Sequence, residues 1–124
     1  MSTNIISLNH ASLIVADLEI SLVFYHEILG LQQVDRPDLG FPGAWLQIGP
    51  QQLHLLELEN PDPITGRPEH GGRDRHVALN ALALGPIQDA LNKAGIIYTM
   101  SKSGRRALFC RDPDGNAVEI IEQA

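Results

Sequence analysis

The apolar and polar positions of the first half of the chain predict a strand, a helix and three more strands. An apolar, β-branched segment at residues 5–15 predicts the first strand. Asp17 then stands where an N-cap would begin a helix, and Gly30 stands where that helix would end. Three shorter runs predict strands, at residues 32–35, 44–48 and 52–58. The turn residues Gly49 and Pro50 join the last two.

The second half repeats this order after a connector. Residues 59–73 hold three prolines and three glycines, which predicts little regular structure. Beyond them we predict a strand at residues 76–84 and a helix at residues 86–94, which Gly95 terminates. Three further strands are predicted, at residues 97–99, 106–110 and 117–121, with a Pro-Gly turn at residues 112–115 between the last two.

The two halves also agree residue by residue, which is typical of duplicated structural units. The closing strand of the first half has the sequence LHLLE at residues 53–57, and that of the second half has VEIIE at residues 118–122. Both are apolar, polar, apolar, apolar and acidic. In this superposition His10 corresponds to His76, and His54 corresponds to Glu119.

These four side chains form a candidate metal site. Residues two apart on a strand share a face, so Glu119 lies beside Ile121. A carboxylate on an apolar face is costly unless it is paired or bound to a metal. Three imidazoles and a carboxylate suit Zn, Ni, Mn, Co or Fe, and are too rich in nitrogen for calcium. Any one of the histidines alone would more simply be a hydrogen-bonded strand residue, but four candidates at repeat-related positions favour the metal.

The sequence resembles the vicinal oxygen chelate superfamily, which contains glyoxalase I, methylmalonyl-CoA epimerase, fosfomycin and bleomycin resistance proteins and extradiol dioxygenases. The segments that carry the resemblance are LNH at residues 8–10, VADL at 15–18, FY at 24–25, LGL at 29–31, RHV at 75–77, FCRDPDGN at 109–116 and VE at 118–119. They extend over nearly the whole chain, and together they are specific for the superfamily.

The resemblance implies an α+β fold in which two βαβββ modules form a cupped, partly open eight-stranded barrel around one divalent metal ion. Residues 1–124 would form a single domain, with module one at about 5–58, a connector at about 59–74 and module two at about 75–122. The implied ligands are His10, His54, His76 and Glu119. The second is the loosest match, since glyoxalase I and the epimerases carry Glu or Gln there, and other members use two His and one Glu. His54 is therefore either a ligand or a base or substrate contact beside the metal.

The resemblance further implies a metal-dependent enzyme of the glyoxalase type, in which the metal chelates two neighbouring oxygens of a small molecule and a proton is transferred, as in an isomerase or lyase. Glu119 is the candidate base, with His54 as a second catalytic candidate. One alternative is an Fe(II) extradiol dioxygenase, which a fourth ligand would disfavour. A second is a metal-free drug-binding resistance protein of the bleomycin-resistance type.

Substrate contacts are predicted from aromatic and basic residues. Trp45 either lines the cup or belongs to the core. Arg106 and Arg111 bracket the strand before the turn at residues 112–115, and they are the preferred partners for an anionic group. Weaker candidates for the same role or a nearby one are Arg75, Tyr98, Lys102 and Arg105. His26 and His70 are interpreted as surface residues, with the connector as a candidate lid over the cup.

Composition indicates which kinds of partner and which cellular compartment to expect. Nine basic and fifteen acidic residues give a net charge of -6, and the basic residues form no stripe, which disfavours nucleic acid as a partner. No segment is typical of a signal peptide or a membrane span, and the single cysteine, Cys110, predicts no internal disulfide, so we expect a cytoplasmic protein. We expect a homodimer with a small-molecule substrate. The substrate, the metal, any thiol cofactor and the number of subunits that complete one site stay open.

Overall fold

In the computed structural model, which describes residues 4–123, the strands form two four-stranded sheets of the same topology. The first sheet contains β1 (His10–Val15), β2 (Gln32–Val34), β3 (Gly43–Ile48) and β4 (Gln51–Glu57), in the order β1-β4-β3-β2. The second contains β5 (His76–Ala81), β6 (Tyr98–Met100), β7 (Ala107–Arg111) and β8 (Ala117–Glu122), in the order β5-β8-β7-β6. In each sheet the first and last strands are parallel and the other pairs are antiparallel. The repeat predicted from the sequence is therefore present in the topology.

A helix follows the first strand of each half. Helix α1 (Leu18–Leu22) begins at Asp17, whose side chain accepts a hydrogen bond from the backbone N–H of Ile20 at 3.2 Å. The chain continues as a π-helix (Val23–Ile28) and reverses at Gly30, which has a positive φ of 77°. The sequence predicted one regular helix here. A π-helix differs from an α-helix in which backbone carbonyl accepts each hydrogen bond, and the pattern of apolar residues carries no information about that choice. Helix α2 (Gly85–Lys93) agrees with its prediction.

Strands β1 and β5 are shorter than predicted, because the strands that they pair with do not extend far enough. His10 pairs with Gln52 next to the start of β4, so β1 begins at His10. Ala81 pairs with Glu122, the last residue of β8, so the strand predicted at residues 76–84 ends three residues early. The apolar side chains just outside these strands are exposed, 90% for Ile6 and 95% for Leu82. Apolar content alone therefore overestimated both strands.

One face of each sheet packs into a shared apolar core. In β3 and β4, Ala44, Leu46, Leu53 and Leu55 are buried at alternate positions. A single cluster of buried apolar side chains draws on both halves, and its members are Val15, Phe24, Tyr25, Leu29, Leu46, Leu53, Leu55, Leu84, Leu91, Leu108, Cys110, Val118 and Ile120. Burying this area is the main favourable contribution to folding. The candidate ligands alternate with these residues and so lie on the opposite faces.

The turn between β7 and β8 joins the second half to the first. Asp112 is buried, and it accepts hydrogen bonds from the Tyr25 hydroxyl at 2.6 Å and from the Asn116 side chain at 2.9 Å. The Asn116 amide also donates to the carbonyl of Ile14 at 3.2 Å. Burial raises the pKa of Asp112, and burial together with the nearby Asp112 charge raises the pKa of Tyr25. The turn is therefore a polar contact between halves inside an otherwise apolar region.

The connector is held by a carboxylate between two arginines. Asp74 forms an ion pair with Arg67 and accepts a hydrogen bond from Arg111 at 2.9 Å. The hydrogen bond from Arg67 holds the pKa of Asp74 well below its usual range. Arg111 also donates to the carbonyl of Gly115 at 2.7 Å, so the connector is tied to the turn before β8.

The α+β fold with two similar sheets agrees with the expectation, whereas a closed barrel is not seen. Each strand pairs only within its own sheet among residues 4–123. A cleft of about 310 Å³ separates the edge strands β1 and β5, with Ser12, Ile14 and His76 among its lining residues. No helix in the described part of the chain is long and apolar enough to cross a membrane.

Candidate functional site

His10, His54 and Trp45 form a stack of three rings on the first sheet. The His10 and His54 rings have centroids 4.0 Å apart and are 18° from parallel. The Trp45 ring stacks on His54 at 4.4 Å and 7°. His54 lies between the other two rings because β4 lies between β1 and β3. The predicted pair of histidines therefore meets, and Trp45 lines their face of the sheet rather than filling the core.

Hydrogen bonds fix one nitrogen of each of these imidazoles. His10 Nδ1 bonds to the side-chain oxygen of Asn9 at 2.7 Å, and His54 Nε2 bonds to the side-chain oxygen of Gln52 at 2.8 Å. Burial lowers the pKa of His54, and the nearby His10 and Arg36 charges add to the effect. A neutral imidazole that donates one N–H to a neighbour keeps its other nitrogen as a lone-pair ligand, which is the usual state of a metal-binding histidine.

His76 and Glu119 form the corresponding pair on the second sheet. His76 Nε2 lies 3.2 Å from Glu119 Oε1, and His76 Nδ1 bonds to the carbonyl oxygen of Asp74 at 2.9 Å. Glu119 is 3% exposed, and its second oxygen lies 3.3 Å from the Arg105 guanidinium. Two donors that share a metal at about 2.0–2.2 Å each lie about 3 Å apart. This pair therefore has the spacing and the donor chemistry that fit a borderline divalent ion.

The connector covers the second pair. A Cβ at Gly71 would lie 3.3 Å from the Cβ atoms of both Ala117 and Phe109, so the 3₁₀ turn Gly71–Arg73 rests directly on β7 and β8. The His70 ring packs against Phe109 at 4.9 Å, and His70 Nε2 is buried without a hydrogen-bond partner. His70 was predicted to be a surface residue, and this is wrong. The paired glycines of the connector were the available signal that it approaches a sheet closely.

The two pairs lie on different sheets and form no common donor cluster within the described residues. Among residues 4–123, no group of three or more His, Cys, Asp or Glu side chains is placed to hold a metal ion. His10 and His54 lie on the first sheet, and His76 and Glu119 lie on the second. The assignment of these four residues as ligands of one metal stays a prediction.

Comparison with known proteins decides the family. The family model of the Glyoxalase/Bleomycin resistance protein/Dioxygenase superfamily matches residues 7–120. The chain belongs to this superfamily. The resemblance noted from the sequence motifs is thereby confirmed.

Two relatives and one solved structure represent the superfamily here. Glyoxylase I 4 from Arabidopsis thaliana is 32% identical over 120 residues, which cover 92% of this chain and 69% of the relative. Glutathione transferase FosA from Serratia marcescens is 32% identical over 117 residues, covering 92% and 79%. A structure of the E126Q mutant of the fosfomycin resistance protein FosX from Listeria monocytogenes, complexed with Mn(II) and 1S,2S-dihydroxypropylphosphonic acid, superimposes with a TM-score of 0.74 at 15% identity, covering 97% and 94%.

The arginines preferred as substrate contacts have other partners in this superfamily member. Arg111 is bonded to Asp74 and to the backbone of the turn before β8. Arg106 pairs with Glu122, and its side chain is 70% exposed. Arg105, which the sequence ranked lower, is the arginine that reaches Glu119. The sequence did not rank Arg105 above Arg106, because side chains do not alternate regularly between faces in the loop before β7.

Proposed function

We propose that the protein is a divalent-metal-dependent enzyme of the glyoxalase type, acting on a small molecule that presents two neighbouring oxygens. The observation that carries this proposal is the buried Glu119 carboxylate facing His76 Nε2 at 3.2 Å, with the other nitrogen of His76 already committed to a backbone carbonyl. A buried carboxylate is costly unless it is paired or bound to a metal; Arg105 pairs one oxygen of Glu119, and the other oxygen forms with His76 a donor set that fits a metal ion. Superfamily membership and relatives named as enzymes support it.

We further propose that two copies complete each site. One chain supplies His10 and His54 on one sheet and His76 and Glu119 on the other, and these pairs stay apart. A homodimer that places the first sheet of one copy against the second sheet of its partner would join them, and would form the eight-stranded cup that a single chain does not close. Exposed apolar side chains beside the two edge strands, Ile6, Leu8 and Leu82, favour such an association.

In this site the chain's own residues would bind, orient and move a proton. A bound divalent ion would polarise the chelated oxygens of the substrate. Glu119 would accept the proton beside a substrate carbonyl, and the Arg105 guanidinium lies 3.3 Å from its second oxygen. His54, whose pKa is lowered by burial, is a second candidate proton acceptor and lies between the stacked rings of His10 and Trp45. The proposed reaction class is an isomerisation or lyase reaction by proton transfer.

The proposed compartment is the cytoplasm. The thiol of Cys110 is buried in the core, and burial raises its pKa to about 12. It therefore stays protonated and unreactive at neutral pH, and as the single cysteine of the sequence it forms no internal disulfide that would call for an oxidising compartment.

The metal site is tested by elemental analysis of protein purified without chelators. We expect near-stoichiometric Zn, Ni, Mn, Co or Fe in the parent protein. The metal should be lost in His10→Ala, His76→Ala and Glu119→Ala, because each change removes a predicted ligand of the metal ion. His54→Ala should lose metal only if His54 is itself a ligand. His26→Ala, which removes an exposed histidine of the π-helix Val23–Ile28, is the matched control and should retain metal. Normal metal content in all five variants would disprove the assignment.

The reaction class is tested by two assays on the metal-loaded protein. Isomerisation of a methylglyoxal hemithioacetal, abolished by Glu119→Gln, is the expected result for proton transfer. The second candidate is an Fe(II) extradiol dioxygenase, which would use His10, His76 and Glu119 as a two-histidine, one-carboxylate triad, with His54 beside the metal and not bound to it. Ring cleavage of catechol with Fe(II) would select it. A protein that binds no metal and shows neither activity would instead fit the drug-binding alternative.

A further inference from the structure

Arg36 lies on the same face of the first sheet as His54 and Trp45. Its guanidinium rests against Gly43, where a Cβ would lie 2.8 Å from Arg36 Nε and 2.9 Å from its Cζ. Gly43 and Trp45 are two residues apart on β3, so they point to one side of the sheet. The guanidinium therefore occupies the side-chain position next to Trp45 on the face that carries the histidines.

The guanidinium is held in place but its charge has no partner. Its Cζ lies 4.9 Å from the centroid of the Phe41 ring, a cation–π contact that orients it. Arg36 Nη2 is buried and has no hydrogen-bond partner, and no carboxylate pairs with the side chain within residues 4–123. Five other arginines do pair with carboxylates, namely Arg67, Arg75, Arg105, Arg106 and Arg111. Arg36 is thus distinct in being oriented and partly desolvated without an acceptor.

A buried, unpaired donor costs free energy that a neutral side chain would avoid. Its planar fork of N–H donors matches the two oxygens of a carboxylate, phosphonate or phosphate. An acceptor missing from the free chain, at this position, is most simply the charged end of a substrate.

We infer that Arg36 is the recognition group for an anionic substituent of the substrate, a carboxylate or a phosphorus oxyanion, beside the chelated oxygen pair. The inference rests on the proposed function, since it assumes that His54 faces the bound substrate. Successive positions on one face of a strand are about 7 Å apart. The substrate is therefore a small acid whose charged group lies a few bonds from its two vicinal oxygens.

The test uses two chelating probes of nearly equal size. Succinic monohydroxamate carries a carboxylate, and its amide carries a carboxamide in the same place. Both are titrated calorimetrically into the protein loaded with the metal that it retains on purification. We expect the parent to bind the carboxylate about 10- to 100-fold more tightly than the amide, and Arg36→Met to reduce that ratio to near unity while leaving the affinity for the amide unchanged. Arg106→Met is the matched control and should keep the parent's ratio.

Stability gives a second readout. If Arg36 serves recognition, Arg36→Met should leave the thermal midpoint of the free protein unchanged or raise it, because it removes a buried unsatisfied donor. A lowered midpoint with an unchanged probe ratio would make Arg36 a structural residue and overturn the inference. Should Arg36→Met fail to fold, Arg36→Lys keeps the charge but not the fork, and a ratio equal to the parent's would count against the inference. Failure of both probes to bind the parent would overturn the proposed chelating site itself, and the inference with it.

Discussion

A heterodimer of a His10→Ala chain and a His76→Ala chain should bind about one metal ion, although neither variant binds any as a homodimer. If sites form between copies, the intact His10 of one chain meets the intact His76 and Glu119 of the other, which rebuilds one of the two sites. The measurement is elemental analysis of heterodimers isolated through two different tags. This result follows from the separation of the two ligand pairs within one chain.

In a second heterodimer, the control, shared sites and sites completed within one chain give the opposite results. A chain that carries both His10→Ala and His76→Ala is paired with the parent chain. Sites shared between copies are then both broken, so no metal should remain, whereas a site completed within one chain would leave the parent's site intact. Metal in this heterodimer and none in the first would show that each chain completes its own site, and would refute the shared arrangement.

Asp112→Ala should lower the free energy of unfolding by about 3–4 kcal/mol. The carboxylate accepts four hydrogen bonds, from the Tyr25 hydroxyl, the Asn116 side chain and the backbone N–H groups of Asp114 and Asn116. Its removal leaves several donors without an acceptor in a buried region that joins the two halves. Urea denaturation followed by circular dichroism measures the change.

Two variants make this prediction specific. Asp89→Ala removes a carboxylate of the same size from the exposed surface of α2 and should change stability by less than about 0.5 kcal/mol. Tyr25→Phe removes one of the four donors and should cost about 1–2 kcal/mol. Equal effects of Asp112→Ala and Asp89→Ala would mean that the turn does not hold the halves together.

The sequence predicted the features that local patterns determine. Alternation placed His10 and His54 on one face of a sheet and His76 and Glu119 on one face of another, because the period of a strand is two residues whatever its surroundings. The ends of the helices agreed as well, since an Asp N-cap and a positive-φ glycine act within one turn.

Features that depend on distant partners were not predicted. The ends of β1 and β5 are set by where β4 and β8 stop, and no residue within residues 5–9 or 82–84 reports this. The position of Arg36 depends on Phe41 and Gly43 around it, and arginine occurs in loops too often to be singled out. Whether the ligand pairs meet is decided by how sheets associate, which no periodicity encodes.

The parallel pairing of the first and last strands in each half has a consequence for synthesis on the ribosome. His10 and His54 come together only when β4 has joined β1, and His76 and Glu119 only when β8 has joined β5. Each half must therefore emerge almost entirely before its pair of donors exists, and β8 follows every other strand in the chain. Both pairs of candidate donors are therefore complete only after translation has passed Glu119.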